Sequence, residues 1–159
     1  MKFSLICFLV FQVQASKTPD IEIEDIRLLF HQAGSSQKVC IDLIKKLEPF
    51  NERNNPLFLG YKASATMMMA KHVINPFSKL QYFKKGKLML EKAIELDLRN
   101  IELRFLRYTI QTNIPAFLNY GSNQESDRLF LSNSISEIKD QKLKKIISSY
   151  LKTVKSSHL

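Results

Sequence analysis

The stretch Asn75-Pro-Phe-Ser-Lys-Leu80-Gln-Tyr-Phe-Lys-Lys85-Gly-Lys-Leu-Met-Leu90-Glu-Lys-Ala-Ile-Glu95-Leu-Asp-Leu-Arg-Asn100 opens the way a helix opens. An Asn side chain accepts hydrogen bonds from the free amides of a first turn, and Pro is pre-shaped for the first helical position. The apolar residues that follow recur at a helical period, which predicts a helix over 77–98. Gly86 inside it costs about 1 kcal/mol against Ala, so a close backbone approach is expected there. A chain that folds back at Asn75-Pro76 sets Gly86 level with Ala63–Met67 of the preceding segment, and a tight contact is predicted at that level.

The same punctuation extends in both directions. Thr18-Pro19 and Asn55-Pro56 repeat the cap-and-proline pair, Pro49 follows a segment ending at Glu48, and Pro115 opens a short helix. Gly34 and Gly121 stand just past periodic segments, where helix caps stand. Ser122 with Glu125, and Ser134 with Glu137, have the spacing of capping boxes. Helices are therefore expected near 19–33, 36–48, 56–74, 77–98, 101–113, 115–120, 123–133 and 135–155, the last breaking at Asp140. No segment alternates as a strand between hairpin turns. Short connections favour antiparallel neighbours, so the fold expected is all-α: stacked helical hairpins, about 7–8 helices, no β-sheet.

Within this pattern, Gly86, Leu90, Ala93 and Leu98 take the positions that a small residue, a large apolar residue, Ala and Pro hold in the second helix of a tetratricopeptide repeat. The segment Gly86–Asn100 resembles that helix through Ala93-Ile94-Glu95-Leu96-Asp97 and departs from it at Leu98, where the family has Pro. The first-helix pattern is missing, and Arg104 and Arg107 fall where a second copy would place apolar residues. The chain is thus similar to a degenerate tetratricopeptide-like array, and to small exported bacterial proteins with such blocks. The resemblance implies a short right-handed stack of hairpins that binds a protein or peptide in a groove.

Residues 1–15 differ from the rest. Lys2 precedes the apolar run Phe3–Val13, and Val13-Gln14-Ala15 ends on a small residue. That is the three-part pattern of a secretory signal peptide, and the run is too short to span a bilayer, which takes about 20 residues. The chain is read as a signal peptide over 1–15 and one helical domain over 16–159, exported to the periplasm or secreted. Cleavage would remove Lys2 and Cys7 and leave 23 basic against 15 acidic residues, a charge of +8. Cys40 would then be the single cysteine, flanked by Val39 and Ile41 as a small core residue is.

Catalytic signals are absent. His31, His72 and His158 lie in separate segments without a second ligand at metal spacing, and no phosphate loop or nucleophile turn occurs. No enzyme activity, metal or cofactor is expected. Met67-Met68-Met69 point in three directions on a helix and read as core. Helix 101–113 is more informative. Ile101, Phe105, Tyr108 and Thr112 form one apolar arc, Leu103, Leu106 and Ile110 another, and Arg104, Arg107 and Gln111 make a polar strip between them. Two arginines on a largely buried helix either pair with acids such as Glu91 or Glu95, or line a groove. Arg104, Arg107, Gln111 and Lys62 are accordingly the candidate partner-binding residues. The last helix carries an apolar stripe of Leu143, Ile146, Ile147, Tyr150, Leu151 and Val154. Its lysines, including Lys142, Lys144, Lys145 and Lys152, offer an alternative: electrostatic association with an anionic membrane or polymer surface. Positive charge is spread along the chain without a recognition motif, so nucleic acid is not an expected partner.

Overall fold

A computed structural model describes residues 21–51 and 55–156. The expected signal peptide, the Thr18-Pro19 start and His158 lie outside these residues. Seven α-helices occur among the described residues: α1 (Ile23–Ala33), α2 (Gln37–Lys46), α3 (Pro56–His72), α4 (Pro76–Leu96), α5 (Ile101–Asn113), α6 (Gln124–Ser134) and α7 (Gln141–Ser156). Two 3-10 turns, Ala116–Leu118 and Ile135–Glu137, join the later ones, and no strand is present among the described residues. The protein is all-α, as its periodicity requires.

Caps explain the boundaries. Asn55 Oδ1 accepts from the Phe58 amide at 3.0 Å, and Asn75 Oδ1 from the Phe77 and Ser78 amides at 2.8 and 3.3 Å. Asn100 does the same for α5. Asp140, where a break was expected, caps α7 by accepting from the Lys142 and Leu143 amides at 2.9 and 3.1 Å. Other expectations fail locally. Helix α1 starts at Ile23, because Ile21 and Glu22 are not helical, and α4 ends at Leu96 with Asp97 as its cap. Segment 115–120 forms only a 3-10 turn, and its left-handed residue is Asn119 (φ 48°), while no glycine has positive φ. Neither capping box forms: Asn123 and not Ser122 precedes α6, Ser134 ends that helix, and neither Asn123 nor Ser134 makes a side-chain cap bond. Glu125 is drawn instead to Arg128, a bidentate partner one turn on.

Each helix packs on the next in sequence, most extensively α3 on α4, and α3 also meets α1 and α5. Helix α3 is the central element. It is buried on nearly every side from Phe58 to Met69, and its small residues Gly60, Ala63, Ser64 and Ala65 admit neighbours closely. Its hydroxyls bond its own carbonyls, Ser64 to Gly60 and Thr66 to Lys62, which satisfies them in an apolar setting. Gly86 lies against it as the sequence predicts: a Cβ built there would stand 2.5 Å from the Ala63 carbonyl oxygen and 2.9 Å from the Met67 nitrogen.

The core has two parts, and the two apolar arcs of α5 divide between them. Leu103, Leu106 and Ile110 join the larger cluster built by α1–α4. Ile101, Phe105 and Tyr108 join a smaller one with Leu131, Ile138, Leu143 and Ile147. Helix α7 closes this second cluster with Leu143, Ile147, Tyr150, Leu151 and Val154, whereas Ile146, expected in the same stripe, is about half exposed.

Cys40 is fully buried and meets the Ala65 carbonyl oxygen at 3.2 Å. Burial disfavours its thiolate and pushes the thiol pKa up to about 11. Iodoacetamide at neutral pH should therefore leave Cys40 unmodified in the folded protein and label it across the urea unfolding transition. Rapid labelling without urea would contradict this placement.

Candidate functional site

The arginines singled out in the sequence are internally paired. Helix α6 lies across the polar strip of α5 and inserts Asp127, which has no exposed surface. Arg107 donates from Nε to one Asp127 oxygen at 2.7 Å and from Nη2 to the other at 2.9 Å, and from Nη1 to Glu91 at 2.7 Å. Arg104 donates to the same Asp127 carboxylate and stacks over the Phe130 ring, 4.7 Å from its centroid. Tyr120 donates its hydroxyl to Glu91; burial, then that carboxylate, pushes the phenol pKa well up. Burial opposes the Arg107 charge, but Asp127 and Glu91 together outweigh it and hold the guanidinium above its ordinary value. Of the acids considered from sequence, Glu91 is a partner, and Glu95 pairs with Lys92 on its own helix. Gln111 is buried one turn beyond Arg107, and its amide has no hydrogen-bond partner among the described residues. Lys62 is half-buried on α3, directed at the Glu48 carbonyl at 3.4 Å, with burial lowering its pKa. Arg104 and Arg107 thus lock helices together, which was the alternative to lining a groove.

A second buried network lies on the opposite side of α5. Arg27 of α1 grips Glu102 with Nε and Nη2, both at 2.7 Å, and reaches Asp140 and Glu24 with Nη1 at 2.5 Å each. The Tyr61 hydroxyl donates to the same Glu102 carboxylate. The Glu102 bond raises the Arg27 pKa, and contact with Arg27 adds to the backbone amide bond of Leu143 in lowering that of Asp140.

The surface left open is a groove of about 1040 Å³. Phe30 and His31 end α1 at one wall, Met67, Met68 and Lys71 come from α3, and Lys79, Leu80 and Phe83 from α4. Ile110 and Ile114 with Phe117 of the 3-10 turn complete it. The methionine triplet is core in part: Met67 and Met69 are buried, and Met67 with the half-buried Met68 lines the groove. Phe117 in this lining is 83% exposed, and Ile74 and Phe77, on either side of the Asn75-Pro76 start of α4, are 94% and 80% exposed. A concave, mostly apolar lining with a few polar groups is the usual form of a binding site. None of these residues was a sequence candidate; Phe77 and Leu80 after Asn75-Pro76, and Phe117 after Pro115, were the signal. They sit on the outer turn of a helix start, where a core reading has nothing to bury them.

Other sequence candidates lie elsewhere. Lys142, Lys145 and Lys152 are exposed on α7, and Lys144 is half-buried. Lys142 reaches Glu24 at 3.4 Å, and Lys152 borders a depression of about 1010 Å³ shared with Glu125 and Arg128, which pair with each other. His72 meets the Ala33 carbonyl at 2.8 Å, and the groove holding His31 has no Asp or Glu in its lining. No described helix is long and apolar enough to cross a membrane. Comparison with models of protein families, with curated proteins and with solved structures finds no match to this chain.

Proposed function

We propose that the protein is a non-enzymatic helical binding module, exported after cleavage near Ala15, that holds a protein or peptide in the groove between α1, α3, α4 and the 115–118 turn. The observation that carries this reading is the mostly apolar lining of that groove, with the exposed Phe117 in it and the exposed Ile74 and Phe77 next to its lining residue Pro76 in the chain. Exposed apolar groups of that size are stabilised by a partner that removes them from water, at roughly 25 cal/mol per Å² of area covered. A rigid helical scaffold with a preformed concavity suits side-chain recognition, the mode that the tetratricopeptide-like resemblance also implies.

Site-directed photo-crosslinking in the native host tests it. A photoreactive residue at Phe117 or Leu80 is expected to give a discrete protein adduct that disappears when Phe77 is changed to Asp. Adducts formed only from Lys152, and lost by about 0.5 M salt, would instead support electrostatic association through α7 and end the groove reading.

A further inference from the structure

We infer that the groove's partner is an amphipathic helix whose apolar stripe is flanked by carboxylates, an inference that rests on the binding role proposed above. Its basis is a one-sided charge distribution. His31, Lys71 and Lys79 stand among the groove-lining residues, and no acid does. The sequence behind that wall is equally one-sided: between Glu52 and Glu91 there is no Asp or Glu, but Lys62, Lys71, Lys79, Lys84, Lys85 and Lys87 all occur. No acid occurs between Glu102 and Glu125 either, the stretch that supplies Ile110, Ile114 and Phe117.

Four arginines, Arg27, Arg104, Arg107 and Arg128, are neutralised within the chain. Neither Lys71 nor Lys79 is in an ion pair or a side-chain hydrogen bond among the described residues. Both border the groove and are free to meet charge from outside the chain. Opposite charge on the partner would steer it in and fix its orientation.

A helix fits better than the other chemistries. An extended peptide adds to a sheet edge through its backbone, and no strand exists among the described residues to accept one. A helix satisfies its own backbone and offers side chains at i, i+3/i+4 and i+7 to a space between helices. A neutral alkyl chain could fill part of the floor but brings no counter-charge to Lys71 and Lys79. The groove volume lies at the upper end of small-molecule pockets, with room for several large side chains.

The test uses a fluorescein-labelled synthetic helix of about 18 residues. It has leucines along one stripe and glutamates on both flanks, and is compared with the same helix carrying lysines in place of the glutamates. Anisotropy titration of the full chain is expected to give about tenfold tighter binding of the glutamate helix. Lys71→Glu combined with Lys79→Glu should reverse that preference, and Leu80→Asp should remove binding of both. These positions are exposed, and circular dichroism checks that each variant is folded. Equal affinity for the two helices, with Leu80→Asp still abolishing binding, would overturn the charge inference while leaving the groove's role intact. Binding indifferent to Leu80→Asp would overturn both. Tighter binding of a peptide of residues 2–15 would name the chain's own leader as occupant. Displacement of the glutamate helix by phosphatidylglycerol vesicles, but not by phosphatidylcholine ones, would name a lipid surface. Either of these last results refutes the acidic helix.

Discussion

Asp127→Ala is expected to lower folding stability by about 3–5 kcal/mol, read as a fall in the urea midpoint at unchanged slope. Asp127 is the single counter-charge on which Arg104 and Arg107 converge, and Glu91 meets only the outer edge of Arg107. Arg107 is itself about 5% exposed, so truncating Asp127 leaves a buried guanidinium with its inner donors unanswered. The loss reflects that orphaned charge more than the attraction removed. A double variant, Arg107→Met with Asp127→Leu, is expected to recover most of the stability, because two apolar side chains can occupy the same volume without desolvation. A change below about 1 kcal/mol for Asp127→Ala would place the carboxylate in water and contradict its position between α5 and α6.

Gly86→Leu is expected to destabilise by about 3 kcal/mol, the upper part of the range for overpacking. The obstacle is backbone. The Ala63 oxygen and the Met67 nitrogen occupy the space a side chain would need, and neither can rotate away. Gly86→Ala should cost less, about 1 kcal/mol net, since Ala recovers helix propensity while colliding with the same atoms. Gly60→Ala is the internal comparison. There the nearest group is a Leu103 methyl, the end of a side chain that can turn, so the penalty should be smaller than at Gly86. Thermal melts of these variants suffice; an unchanged melting temperature for Gly86→Leu would mean that α3 and α4 do not touch at this level.

The Gly86 contact was legible in the sequence because its causes are local: an Asn-Pro start fixes where α4 begins, and counting residues along two helices joined by a short turn sets the register. The arcs of α5 were legible for a similar reason, since helical geometry alone assigns Leu103 and Phe105 to different faces. The partner of Arg104 and Arg107 was not. Asp127 is followed by Arg128 and reads as a solvated residue, and only the packing of α6 over α5 turns it inward; the run Asp127, Leu131, Ser134 along one buried face was the available hint. The Ser122–Glu125 capping box failed because Glu125 has a stronger partner than a backbone amide within reach. The groove was hidden for a further reason. Periodicity counts apolar residues without separating those a neighbour covers from those left bare, so Phe77 and Phe83 look alike in sequence although the first is exposed and the second buried.

The chemistry on the flanks of α5 constrains how that helix can be inserted. At 100° per residue Glu102 projects nearly opposite to Arg104, Arg107 and Gln111, so the helix shows an acid to Arg27 and bases to Asp127 and Glu91. Its two apolar arcs are similar enough that oil alone would tolerate the helix turned half a revolution about its axis. Turned so, arginine would confront Arg27 and glutamate would confront Asp127, like against like with little water to screen them. The buried ions therefore act as a polarity key: they add little net cohesion, and they forbid the one mispacking that the hydrophobic pattern by itself would permit.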